Sequence, residues 1–178
     1  MQSVKPFVIR DAQPDDQAAI REVTLAAYSE YATVMTPSAW DGLHKVVSAA
    51  LATTVPADYI IAERDGVIIG SVMLFPPEVD AYGGLSKQAA VPELRLLAVT
   101  AEARGLGIGR ALVEECIRRA RLSGAAQLGL HSSKSMVAAT HLYESMGFVR
   151  FPADDFQPDG AELVTGYRLP LNGNSIGN

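Results

Sequence analysis

Arg104-Gly105-Leu106-Gly107-Ile108-Gly109-Arg110 is the stretch on which the reading of this chain turns. Leu94 to Val99 before it has the composition of a buried strand. After it, helix-period residues run from Gly107 to about Leu122, where Gly124 stops them. The stretch is therefore a strand-to-helix turn. Three glycines at alternate positions remove Cβ atoms where backbone must approach a ligand, and the free N–H groups of a helix start carry partial positive charge. Together they make an anion cradle, to which Arg104 and Arg110 add formal charge suited to a pyrophosphate. Taken without its context, the same glycine run also fits a flexible turn that merely enters a helix.

Two other nucleotide readings fail on spacing. For a dinucleotide fingerprint the third glycine position falls on Arg110 when counted from Gly105, and on Leu112 when counted from Gly107. The acidic residue expected about twenty positions later is missing, since Ala125 and Ala126 occupy that region. No Gly-Lys-Ser/Thr triplet exists for a P-loop. The anion is expected to rest on backbone amides, without a lysine or a metal.

Outward from the cradle, the N-terminal side reads as a strand over Phe7-Val8-Ile9-Arg10 and a helix opened by Pro14-Asp15-Asp16 that presents Ile20, Val23, Ala27 and Tyr31 on one face. A second helix opens at Pro37-Ser38 and repeats Leu43, Val46, Val47, Ala50 and Leu51 at helical spacing. Tyr59–Ala62 and a strand from Val67 to Phe75 flank Asp65-Gly66 as an antiparallel hairpin, and Pro76 to Ala90 reads as a long loop. On the C-terminal side come a strand at Leu128–His131, a helix at Met136–Met146, and strands at Phe148–Phe151 and Leu163–Leu169. The expectation is a single domain over residues 1–171 with a frayed tail over 172–178.

Composition narrows the classes. A net charge of −5 offers no basic face for nucleic acid, and no run reaches the ~18 apolar residues of a membrane span. The N-terminus lacks a signal-peptide core, so a cytoplasmic protein is expected. One cysteine and three histidines without ligand spacing point to no metal, and Cys116, on the apolar helix face with Leu112 and Ala120, reads as packing.

The pattern Arg104-x-x-Gly107-x-Gly109, preceded by Leu97-Ala98-Val99 and followed by Ala111-Leu112-Val113, resembles the acyl-CoA-binding motif of the GNAT superfamily of N-acetyltransferases. Leu142-Tyr143-Glu144-Ser145-Met146-Gly147-Phe148 is similar to that family's second signature, although an asparagine often found seven residues before the tyrosine is Met136 here. The resemblance implies an α/β fold of the α+β kind: a mixed, mostly antiparallel central sheet of about seven strands flanked by about four helices, splayed between the fourth and fifth strands. It implies acetyl-CoA as cosubstrate, bound by Leu97, Ala98 and Val99 along the pantetheine arm and by residues 104 to 110 at the diphosphate. A backbone N–H near Ala98 or Val99 would face the thioester oxygen.

Under this resemblance the chain is an acyl-CoA-dependent N-acetyltransferase acting on a small-molecule or peptide amine by direct attack in a ternary complex. Tyr143 is the candidate general acid, since a phenol of reference pKa about 10 stays protonated at neutral pH. Glu93 is the candidate base, directly or through water, with His131 as a second candidate. The alternative class is a non-catalytic acyl-CoA sensor or interaction module. The identity of the acceptor, the acyl-chain preference and the choice between monomer and homodimer are not readable from these residues.

Overall fold

The computed structural model describes residues 6–86 and 89–172. Most of the expected tail, residues 173–178, therefore lies outside the described residues. In chain order the elements are β1 (Val8–Asp11), α1 (Gln17–Ser29), α2 (Pro37–Leu51), β2 (Asp58–Arg64), β3 (Val67–Phe75), β4 (Glu93–Val99), α3 (Ile108–Leu122), β5 (Gln127–Ser132), α4 (Val137–Ser145), β6 (Val149–Arg150) and β7 (Thr165–Pro170). One seven-stranded sheet runs β1-β2-β3-β4-β5-β7-β6. Every neighbouring pair is antiparallel except β4 and β5. This is the mixed, mostly antiparallel sheet with four helices that the sequence led us to expect.

The expected splay is visible in the pairing. β4 and β5 share one registered pair, Glu93 opposite Gly129, whereas β5 and β7 stay paired from Gln127 to Ser132. Beyond Glu93 the two parallel strands part, and a wedge opens toward their C-terminal ends. The last strand begins at Thr165 rather than Leu163, because Val164 turns to bridge Phe156 and draws the segment after β6 over the end of β5.

Alternation along the strands sorts the core to the two sheet faces. Ile60, Ala62, Ile69, Val72 and Leu94 pack with Ile108, Leu112, Val113, Cys116 and Ala120 of α3. Ile61, Ile68 and Ala98 meet Ile20 and Val23 of α1, while Met73, Phe75 and Leu96 meet Val47 and Ala50 of α2. The amphipathic stripe expected for α3 is thus its buried face, and Cys116 is fully enclosed, which pushes its thiol up to about 12 and leaves it inert.

The alternation breaks at Ile69, which β3 carries as an extra residue between its pairings with Ala62 and Glu63, and again in β4. Leu96 adopts φ +54°, and the register with β3 shifts between Ser71 and Met73, so β4 carries an extra residue opposite Val72. Leu94 faces α3, yet Leu96 faces α2 and Leu97 packs toward α3 again. The bulge bends β4 away from β5 at the place where the wedge opens.

Candidate active site

The cradle follows from the helix start. Gly107 caps α3 in the left-handed region (φ +80°), and Gly105 also has positive φ (+73°), a conformation that side chains with a Cβ adopt only under strain. The first helical bond runs from the Ala111 N–H to the Gly107 carbonyl at 3.0 Å, so the N–H groups of Ile108, Gly109 and Arg110 have no partner within the helix. No atom lies within 4 Å of a Cβ built on Gly105 or Gly107, so the face above the turn is open to a ligand. Leu106 and Ile108 turn their side chains into the core, and the backbone carries the exposed surface.

This turn ends a groove of about 810 Å³ whose wall includes Leu97, Ala98, Val99, Arg104, Gly105, Gly107, Ile108, Gly109 and Arg110. The two arginines are held from outside: Arg104 pairs with Glu30 at 2.6 Å, and Arg110 donates to the Ser145 hydroxyl at 2.9 Å. Free backbone donors, a clear approach and flanking guanidinium groups fit a diphosphate.

Inside the wedge, the Thr100 N–H donates to the Ile69 carbonyl on β3 at 3.0 Å. By strand alternation the Ala98 amide also faces β3, while the Leu97 and Val99 amides face the gap beside β5. The Arg104 guanidinium, 3.4 Å from the Val99 carbonyl, marks the same side. Of the two amides singled out from the sequence, Val99 is therefore the one aimed into the wedge, and Leu97 joins it.

A second, more enclosed cavity of about 120 Å³ adjoins the groove, and Tyr28, Tyr31, Leu97 and Ala139 line both. Tyr143 belongs to the wall of this cavity, 6% exposed, with its ring edge-on to Phe148 at 5.9 Å. Burial, reinforced by Tyr28 and Tyr31, raises its phenol well above the usual range, so the hydroxyl stays a proton donor. Met136 precedes α4, makes no capping hydrogen bond and contributes apolar surface to the same wall.

Glu93 lies one layer behind the cavity. Its side chain is 5% exposed, and its Oε2 is 3.5 Å from His131 Nδ1. The His131 ring forms part of the cavity wall, with Tyr82 beside it. The Tyr82 hydroxyl is 2.8 Å from Nδ1, and the His131 Nε2–H donates to the Asp154 carbonyl at 2.9 Å. Since a carbonyl can only accept, Nε2 bears a hydrogen, and in a ring with a single N–H it is Nδ1 that accepts from Tyr82. Burial first, then the charge of Glu93, raises the Tyr82 phenol. Tyr82 and His131 are thus hydrogen-bonded at the cavity wall and packed edge-on against Phe156, with the Glu93 carboxylate beside them.

The cluster depends on two loops. Asp80 accepts from the N–H of Tyr82 and of Gly84 at 3.3 and 2.9 Å, which fixes the turn carrying Tyr82; neither Glu78 nor Asp80 reaches the cavity. The loop carrying Asp154 is held by Arg168 on Asp154 (2.7 and 3.0 Å) and by Arg150 on Asp155 (2.8 Å to each oxygen). Tyr82, Arg95 and Asp154 were not singled out from the sequence. A charged residue within Leu94-Arg95-Leu96-Leu97 was a signal available for Arg95, whereas no local signal marked the other two.

Comparison with known proteins agrees with this layout. The profile of the "Acetyltransferase (GNAT) family" matches residues 20–148. A mycothiol acetyltransferase of Cellulomonas flavigena is 34% identical over 100 residues, 56% of this chain and 28% of that relative. The chain thus spans less than a third of the length of this curated relative. Among solved structures, a GNAT family acetyltransferase from Brucella melitensis in complex with acetyl-CoA superposes with a TM-score of 0.63 at 22% identity, covering 96% of this chain and 92% of that one. The ribosomal-protein-S18-alanine N-acetyltransferase of Escherichia coli gives the same TM-score, 0.63, at 20% identity, covering 96% and 97%. With the profile running from within α1 through the cradle and the α4 signature, the chain belongs to the acetyltransferase (GNAT) family.

Proposed function

We propose that the chain is an acyl-CoA-dependent N-acetyltransferase that moves an acetyl group from acetyl-CoA to a primary amine, both held at once. The observation that carries this reading is the meeting of the two cavities at Tyr28, Tyr31, Leu97 and Ala139. One is open and lined by free amides; the other is closed, and its wall holds a buried phenol and the Tyr82–His131 pair.

Bound acetyl-CoA supplies a thioester, whose acyl carbon is attacked by the amine nitrogen as the carbon–sulfur bond breaks. The gap-facing amides of Leu97 and Val99 are placed to donate to the acyl oxygen, a preorganised contact worth about 10²–10³ in rate. Tyr143 holds the proton that the departing sulfur needs. The amine must lose one proton, and Tyr82 can accept it while passing its own to His131 Nδ1, with Glu93 stabilising the imidazolium. Glu93 therefore acts from behind Tyr82 and His131 rather than on the amine. The Tyr82–His131 cluster and Tyr143 end with one proton gained and one lost, so exchange through cavity water restores both. Because both reactants are held together, no covalent enzyme intermediate is required.

The substrates in the relatives' names, mycothiol in one and a ribosomal-protein alanine in the other, differ too widely to transfer to this chain. The test is release of free CoA thiol from acetyl-CoA across a panel of amines. Amine-dependent release is expected, and Tyr143→Phe should lower kcat by about 10²–10⁴ with unchanged acetyl-CoA affinity. Binding of acetyl-CoA without acceleration by any amine would favour the sensor reading.

A further inference from the structure

Arg95 is 7% exposed, and among the described residues no carboxylate lies within 4 Å of it. Among the described residues its one hydrogen bond goes from Nη1 to the Ala81 carbonyl. The guanidinium lies 3.8 Å from the centroid of the Tyr82 ring and 6.0 Å from that of Phe75. A guanidinium has five N–H donors, so most of its capacity is unused in a place where burying an unpaired charge is costly. Glu93, two residues earlier on β4, lies beside His131 and makes no ion pair with Arg95.

Arg95 also lines the acceptor cavity, and so do Glu162 and Ser133, each with one polar atom that has no hydrogen bond among the described residues. Glu162 accepts from the Ser135 hydroxyl at 2.5 Å through Oε1, but its Oε2 is buried and unbonded, as is the Ser133 hydroxyl. Among the described residues, one cavity therefore contains a guanidinium with spare donors and no carboxylate partner, a buried carboxylate oxygen without a hydrogen bond and a buried hydroxyl without one. Beside these and the Tyr82–His131 pair, Met35, Leu43, Val46 and Met136 give the wall an apolar stretch. Unsatisfied polar atoms of both signs in one cavity match a ligand that carries both signs.

Building on the acetyltransferase reading, we infer that the acceptor is an amino-acid-like zwitterion, an amine that bears a carboxylate and an apolar side chain. The carboxylate docks on the Arg95 fork. The ammonium form is received by Glu162 Oε2 and Ser133 Oγ before it surrenders its proton toward Tyr82 and His131. Arg95 sets specificity and takes no proton.

The test compares leucine, methionine and phenylalanine with their carboxamides and with the corresponding decarboxylated amines. Turnover is followed with acetyl-CoA, and binding is followed independently by ligand-observed NMR. Wild-type protein should prefer at least one acid over its amide and amine by about 10- to 100-fold in kcat/KM, and the NMR signal should follow the same order. Arg95→Met should abolish that preference while calorimetry gives an unchanged acetyl-CoA affinity, and Arg95→Lys should recover only part of it. If acids bind selectively and Arg95→Met removes that selectivity, but nothing turns over, the zwitterion site stands and the enzyme reading falls. If amides or amines match the acids, if neither class binds, or if Arg95→Met leaves the preference intact, the zwitterion site is overturned.

Discussion

Whereas the proposed cofactor cradle is one continuous turn, residues 104 to 110, the proposed acceptor cavity beside it takes its side chains from segments scattered along the chain. Tyr82 and His131 are 49 residues apart, and Glu162 meets Ser135 across 27. The cradle is built of backbone, with Leu106 and Ile108 turned inward, three glycines without side chains and only Arg104 and Arg110 flanking it. The cavity is built of side chains set by loops that ion pairs and turns hold in place. A backbone site can serve any acyl-CoA transfer, while a side-chain site can be retuned for a new acceptor without disturbing the cradle. Changes confined to the loops around His131 should therefore affect the acceptor and leave the cofactor alone.

Gly166 offers the hardest test of that separation. A Cβ there would come within 2.5 Å of the Asp154 Cβ and 2.8 Å of the Phe151 carbonyl, backbone that cannot yield cheaply. Gly166→Ala should cost about 1–3 kcal/mol of stability. By shifting the Asp154 carbonyl off His131 it should also raise the acceptor KM while acetyl-CoA affinity holds. Thermal melts with parallel steady-state kinetics and calorimetry would show this, and an equal loss in both affinities would break the comparison.

A smaller effect is expected from Asp155, whose carboxyl is held below its ordinary 3.8 by the Arg150 fork and then by the Gly166 N–H. A carboxylate depressed in the folded state adds stability above its unfolded pKa, and that contribution is lost as pH falls through the depressed value. At pH 7 Asp155→Asn should lower Tm by about 1–4 °C, the scale of a partly exposed pair in a domain of this size. The gap from wild type should close as pH is taken from 5 toward 2. A gap that stays constant with pH would mean that the Arg150 pair does not hold this loop.

How far the sequence could be read follows the same division. The cradle was legible because glycine spacing, the preceding strand and the following helix are adjacent in the chain, and a left-handed cap at Gly107 is a local demand. The sheet was legible from alternation and turn residues, and the splay came with the family resemblance. Glu93 and Tyr143 stand out in the sequence as candidates, yet the position of Glu93 behind His131 does not, because it depends on where the loop after β3 lays Tyr82. Arg95 was overlooked as one charge in an apolar strand. The bulge at Leu96, a non-glycine residue with positive φ, has no signature in Leu94-Arg95-Leu96-Leu97, because pairing with β3 and packing against α2 impose it. Glu162 and Asp154 acquire meaning only once β7 folds back between β5 and β6.

The account rests first on a diphosphate held by the amides that open α3, and calorimetric titration of acetyl-CoA into wild-type protein and Gly107→Val tests it most directly. Wild type should saturate at one site per chain. The variant, forced to place a β-branched residue at φ +80°, should bind on the order of 10- to 100-fold more weakly while melting as a folded protein. Absence of saturation in wild type, or equal affinity in the two proteins, would contradict it.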